Sequence, residues 1–252
     1  MGDDKRGAIK AFRSRVVRVH DAANDGHPVD PGACKVAGIV GGMCSGETIA
    51  SLEKVAVPNG VVMIAPSATS PALTSVDDQG LFFRTAPSDA RQGEVMADII
   101  TERGIKNVAV TYTNNDYGKG LADSFANSYK EKGGSVTMVA AHDDGKADYS
   151  AEVAALAAAG GDALVVAGYV DQGGSGIVRG ALDTGAFSTF VLPDGMVNTT
   201  LADKFGTQLE TSFGQNCAAQ PENLARFPRF VTVNKVPPSC SRKATWRVHR
   251  AD

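Results

Sequence analysis

Five positions in this 252-residue chain place polar chemistry at one kind of address, just past the end of a short apolar run. Ser45 follows the run Val36–Val40, and Ser67 with Thr69 follows Val61–Ala65, in the segment Pro66-Ser67-Ala68-Thr69. Tyr117 lies beyond Val108–Thr111, Tyr169 beyond Ala163–Ala167 and Asp194 beyond Phe190–Leu192. Hydroxyls and backbone N–H groups beside a helix start suit a small anion, most simply a carboxylate. An aspartate with two tyrosines suits an ammonium, through ion pairing and cation–π contact. Together the two sets would grip the two ends of an amino acid. Taken singly, each residue has an ordinary role, since Ser, Thr and Asp at strand ends cap helices or form turns. The coincidence of five carries the reading.

A catalytic alternative rests on Gly42-Met43-Cys44-Ser45-Gly46, which fits a Gly-x-nucleophile-x-Gly elbow with Cys44 as nucleophile. Such a site also needs a downstream carboxylate and then a histidine. His20 and His27 precede the elbow, His142 ends a predicted strand far along the chain, and His249 lies in an unpatterned tail. No base is well placed, so the chain is not expected to be an enzyme. No cofactor is expected either: there is no GxxxxGK[ST], and Gly173-Gly174-Ser175-Gly176 lacks dinucleotide spacing. Asp143, Asp144 and Asp148 could attract a cation, but a solvated turn and a helix cap explain them. The four cysteines (Cys34, Cys44, Cys217, Cys240) show no zinc spacing, so no metal site is expected; one disulfide and free buried thiols both remain open.

The elements that would position these residues alternate between strand and helix. Strand Val36–Val40 is followed by a helix over about Gly46–Val57 that stops at Pro58-Asn59-Gly60, then by strand Val61–Ala65 and the short extended run Leu81–Thr85. A helix capped by Ser88 buries Val95, Met96, Ile99 and Ile100 on one face and stops at Gly104. After strand Val108–Thr111, Leu121, Phe125 and Tyr129 recur four apart on the next helix. Strand Val136–Ala140, a helix capped by Asp148, strand Ala163–Ala167, a helix near Gly174–Thr184, strand Phe190–Leu192 and a helix over Leu201–Leu209 complete the series. Repeated βα units predict α/β architecture with parallel, doubly wound sheets in two blocks split near Thr85–Ser88. In open sheets of this kind ligands bind beyond the carboxyl ends of the strands. The expected divisions are 1–86 (with 1–35 of uncertain structure), 87–216, and an irregular basic tail over 217–252.

Charge and composition narrow the function classes. Residues 36–216 carry 11 Lys+Arg against 21 Asp+Glu, whereas residues 217–252 carry 7 against 2. An acidic body between basic ends argues against a nucleic-acid-binding core. No apolar run approaches the roughly 18 residues of a membrane span. The N-terminus MGDDKRGAIK has no hydrophobic signal core, so either a signal peptide is absent from this sequence or the protein is not exported.

At these same residues the sequence resembles the periplasmic solute-binding proteins of ABC transporters, in particular the leucine/isoleucine/valine-binding family. The matching segments are GGMCSGETIAS, VMIAPSATSPALT, FFRTAPSDARQG, NDYGKGLADSF, DYSAEVAAL, ALVVAGYVDQGG and LPDGM, collinear from about Val36 to Gly214. The resemblance implies a two-lobe, type I periplasmic-binding fold and a ligand set of Ser45, Ser67, Ala68, Thr69, Tyr117, Tyr169 and Asp194. The first group would take the carboxylate of a branched-chain amino acid and the last three its ammonium. It also implies delivery to an ABC permease and a periplasmic location. A ligand-sensing domain of an amino-acid or amide receptor would use the same lobes. Family members often have Glu where Asp194 stands, and Asp keeps the charge on a shorter arm. The family pairs a cysteine at the position of Cys44 with one well upstream, while here Cys34 is only ten residues away. Nothing before Val36 resembles the family's opening, and residues 217–252 do not resemble its return to the first lobe. The resemblance therefore implies a chain truncated at both ends with an incomplete first lobe.

Overall fold

A computed structural model describes residues 37–215 and, as backbone, Val16–Arg18. The expected basic tail over 217–252, and Cys34, Cys217 and Cys240, lie outside the described residues, as does most of 1–35. The chain divides into two compact units between Ser88 and Asp89.

The first unit is built on strands β1 (Val16–Arg18), β2 (Gly38–Val40), β3 (Met63–Ala65) and β4 (Phe82–Arg84), all parallel and in that spatial order. The run Ala8–Val19, readable from sequence as a basic helix or an irregular strand, thus contains a strand at Val16–Arg18. Helix α1 (Ser45–Ser51) follows β2, then widens into a π turn at Leu52–Ala56 and tightens into a 3-10 turn at Val57–Asn59. The single helix expected over Gly46–Val57 is therefore three helical forms in series. Gly60, at φ 63°, ends it. Where sequence suggests only loop after Pro71, a short helix, α2 (Ala72–Ser75), forms. Ile39, Met63 and Phe82 are register neighbours and face a core completed by Leu52, Ala56 and Leu73. Val40, Ile64 and Phe83 form the next cross-strand row, on the opposite face.

The second unit holds five parallel strands in the order β6-β5-β7-β8-β9: β5 (Asn107–Thr113), β6 (Ser135–His142), β7 (Ala163–Ala167), β8 (Phe190–Leu192) and β9 (Phe213–Gly214). The two-residue β9 carries too little sequence pattern to be read in advance. Helices α3 (Asp89–Glu102) and α4 (Asp116–Glu131) cover one face, meeting Val108, Val110, Ala163, Val165 and Ala167. Helices α5 (Ser150–Ala159), α6 (Ser175–Asp183) and α7 (Thr199–Phe205) lie on the other, over Ala109, Leu164 and Val166. Every residue of β7 is buried, as the period of two requires when both faces of a parallel strand are covered. The spacing behind α4 appears in its packing, with Leu121, Phe125 and Tyr129 at most 1% exposed. No helix among the described residues is long and apolar enough to cross a membrane.

Candidate functional site

Sheet topology gives the second unit a natural address for a ligand. The connections reverse direction between β5 and β7, because β6 lies on one side of β5 and β7, β8 and β9 on the other. At such a switch point adjacent loops diverge and leave a crevice beyond the strand ends. Tyr117 sits in the first turn of α4, just past β5, held by an Asn115 cap whose Oδ1 accepts from Gly118 N at 2.8 Å. Tyr169 follows β7 and Asp194 follows β8.

These three side chains come together. The Tyr117 hydroxyl donates to Asp194 Oδ1 at 2.7 Å, and the two tyrosine rings stack with centroids 4.7 Å apart. Burial pushes the Tyr117 phenol well above its ordinary pKa, and the carboxylates of Asp194 and Asp89 push it further in the same direction. The phenol therefore stays protonated and keeps donating to Asp194. A residue that sequence reasoning missed completes the arrangement: Gln92 Nε2 donates to the same Asp194 oxygen at 3.0 Å. Gln92 and the buried Asp89 both lie in the first turn of α3. Their segment, FFRTAPSDARQG, was among those matching the family, and the polar i, i+3 pair at a helix start was the available signal. Both bonds fall on Oδ1; among the described residues Asp194 Oδ2 accepts none. Gly195 allows this closeness, since a Cβ there would sit 2.4 Å from Gly168 O and 3.0 Å from the Tyr117 hydroxyl.

In the first unit the expected residues also gather, though not all of them as donors aimed outward. Ser45, 2% exposed, accepts from the N–H groups of Thr69 (3.3 Å) and Ser70 (3.1 Å), so its oxygen fastens the loop after β3 to the start of α1. Ser67 is exposed and donates its proton to Met43 O at 2.7 Å. The Ala68 methyl is buried in the core. Arg84, which sequence reasoning gave no role, grips the same loop from β4. Its guanidinium donates to Thr69 O (3.2 Å), Ser70 O (2.9 Å) and Thr74 Oγ1 (2.6 Å). Among the described residues, neither the Thr69 hydroxyl nor the Ala68 N–H makes a hydrogen bond.

The elbow around Cys44 takes a different form from a nucleophile turn. Cys44 is the exposed N-cap of α1, and Glu47 Oε2 reaches back to Met43 N at 3.2 Å. His142, the one histidine among the described residues, is buried in the second unit, where its ring nitrogens meet Thr111 and Thr113. In the acidic loop, Asp143 accepts from Asn114 at 2.8 Å, and Asp148 accepts the Ser150 N–H and hydroxyl. Those are turn and cap roles, and Asp148 acts one residue before the formal cap at Tyr149.

The chain resembles known proteins over most of its length. A Leu/Ile/Val-binding protein homolog from Brucella melitensis is 32% identical over 198 residues, covering 76% of this chain and 52% of the relative. The chain thus spans about half the length of that curated relative. Among solved structures, a leucine binding protein from Thermotoga maritima superposes with a TM-score of 0.60 at 29% identity, over 69% of this chain and 49% of that one. A type 1 periplasmic binding protein from Bordetella pertussis gives a TM-score of 0.64 at 19% identity, over 71% and 49%. The fold is that of type I periplasmic binding proteins. The sequence pattern described as the receptor family ligand binding region matches residues 13–203, beginning well before Val36, where the resemblance read from motifs starts. By that match the chain belongs to the receptor ligand binding region family.

Proposed function

We propose that the chain is the solute-binding component of an ABC transporter, taking an L-amino acid with a branched aliphatic side chain and releasing it to a membrane permease from the periplasm. The role is binding and not catalysis. The observation that carries the reading is the Asp194 group. One carboxylate oxygen is held by Tyr117 and Gln92, the other accepts nothing among the described residues, and two stacked tyrosine rings stand beside it. A fixed carboxylate next to aromatic faces suits a primary ammonium. The ligand carboxylate is assigned to the Thr69 hydroxyl, the Ala68 N–H and the remaining O–H of Ser45. Ser67 contributes by holding the Met43 turn. The names of the Brucella and Thermotoga proteins, which specify leucine, isoleucine or valine, support the choice of ligand. Periplasmic binding is likewise in the name of the Bordetella protein.

Calorimetric titration of the full chain with leucine, isoleucine and valine tests this, with saturable binding at one site as the expected result. Asp194→Ala should weaken that binding by about 2–5 kcal/mol, the cost of leaving one member of a desolvated charge pair alone. No heat with any of the three amino acids would remove the reading. Normal binding by the variant would move the ammonium elsewhere.

A further inference from the structure

The second unit contains a polar group that the ligand contacts leave unused. His142 ends β6, is 1% exposed, and lies between two threonines of the neighbouring strand β5. Thr111 Oγ1 is 2.8 Å from His142 Nδ1, and Thr113 Oγ1 is 3.2 Å from Nε2. Thr113 is the branch point. Its hydroxyl also donates to Gln172 O at 3.2 Å and accepts from Tyr169 N at 3.4 Å. The residue before Tyr169 is packed against the same atom, since a Cβ on Gly168 would fall 2.0 Å from Thr113 Oγ1. Asn115 holds the far end of the turn through Gln172 Oε1 at 3.1 Å.

The proton inventory fixes the direction of each bond. A threonine hydroxyl has one proton, and Thr113 gives it to Gln172 O. Nε2 of His142 must then carry hydrogen to satisfy the Thr113 contact, which leaves Nδ1 bare to accept from Thr111. A neutral imidazole fits this with Thr111 donating to Nδ1, whereas an imidazolium would require Thr111 to turn its hydroxyl and accept instead. Burial, partly opposed by Glu152 and Asp143, lowers His142 to about 4 and keeps it neutral.

We propose that His142 is a positioning residue for the candidate binding site, acting through Thr113 to fix the turn 168–172 and with it the Tyr169 ring beside Tyr117 and Asp194. It touches no ligand. The proposal rests on the binding function above for its effect on affinity, but its structural content can be read without any ligand.

The experiment uses the full chain with ring-labelled tyrosine and follows the Tyr169 and Tyr117 ring resonances by NMR in His142→Leu, Thr113→Val and His142→Gln. The first two variants should shift the Tyr169 resonance and weaken leucine binding by about tenfold, the scale of one or two lost hydrogen bonds. Tyr129, tied to Ile105 O at 2.7 Å away from this network, should keep its wild-type resonance. His142→Gln carries an amide N–H donor and a carbonyl acceptor and should restore both readouts. Leu164→Ala, a core truncation on β7 outside the hydrogen-bond network, controls for loss of stability alone and should leave Tyr169 in place. A wild-type Tyr169 resonance in both His142→Leu and Thr113→Val would overturn the proposal, as would an equal displacement in Leu164→Ala. Should His142→Leu fail to fold, Thr113→Val and His142→Gln decide it. If the wild-type protein binds no amino acid, the functional reading fails and the ring resonances still decide the positioning role.

Discussion

The two units are made from the same βα repeat and differ, among the described residues, in how completely each closes around its sheet. In the second, connections run to both sides of β5, and helices cover both faces. In the first, the strands follow one another in a single direction, β1-β2-β3-β4. The connections after β2 and β3 both pack on one face, through Leu52, Ala56 and Leu73. The core of Ile39, Met63 and Phe82 is on that face, while in the opposite row Phe83 is 55% exposed and Val40 36%. An all-parallel sheet ordinarily has both faces covered. The lesson concerns polar sites as much as stability. The second unit holds the Asp194 carboxylate between two buried donors, Tyr117 and Gln92. The first fastens its loop through the buried Ser45 hydroxyl and the half-buried Arg84 guanidinium.

The largest expected effect sharpens this contrast with one residue type in both units. Phe125 is fully buried on α4 and stacks on Tyr129 at 5.5 Å. Phe125→Ala should destabilise the second unit by about 3–5 kcal/mol, through lost burial and the cavity left behind. Phe83→Ala should change the first unit by less than about 0.5 kcal/mol, as exposed substitutions do. Urea unfolding followed at amide resonances of α4 and β4 reads the two separately. A Phe83→Ala cost approaching that of Phe125→Ala would mean the second face of the first sheet is covered in solution, and the contrast would collapse.

The next prediction concerns pH and the second unit alone. His142 has its folded-state pKa lowered by burial to about 4, whereas an exposed histidine titrates near 6.5. Between those values the unfolded chain binds a proton that the folded chain refuses. Stability is therefore complete above about pH 6.5 and falls as the pH drops towards 4. The loss attributable to this group is about 2–3 kcal/mol over that window. His142→Gln should flatten this part of the stability–pH curve without moving the first unit's. Thermal melts at half-unit pH steps would show it. An unchanged slope in the variant would assign the acid sensitivity to other groups.

Much of this arrangement was legible in the chain because it depends on period and punctuation. The four-residue spacing of Leu121, Phe125 and Tyr129 fits a helix face, and runs such as ALVVA, set between Gly-rich turns, fit interior strand. The addresses of Tyr117, Tyr169 and Asp194 followed from those elements, since a residue just past a parallel strand is placed by the strand. What could not be read depends on which hydroxyl finds which partner. Ser45 and Ser67 share the type and address of a ligand donor, yet one fastens the loop through Thr69 and Ser70 and the other reaches Met43 O. Gln92 acts across 102 residues to reach Asp194, and no local pattern encodes such a meeting; Arg84 reaches 10 to 15 residues back to the loop after β3. The transition of α1 through a π turn to a 3-10 turn was hidden for a related reason: Leu52 and Ala56 satisfy the core in any of the three helical forms.

The smallest effect tests whether the two ends of the proposed ligand are held unequally. On the carboxylate side the load is shared among neutral donors, so removing one leaves the others in place. Thr69→Val keeps the shape and removes the hydroxyl that has no partner among the described residues. It should weaken leucine binding by about 1–2 kcal/mol, the range for a single hydrogen bond to a charged group in a partly exposed setting. Asp194→Ala removes the formal charge opposite the ammonium and should cost more. Calorimetry on both variants, run beside the wild type, gives the ratio directly. If Thr69→Val weakened binding as much as Asp194→Ala, the loop of the first unit would be a dominant anchor, and its less enclosed sheet would have to be as firm a platform as the second.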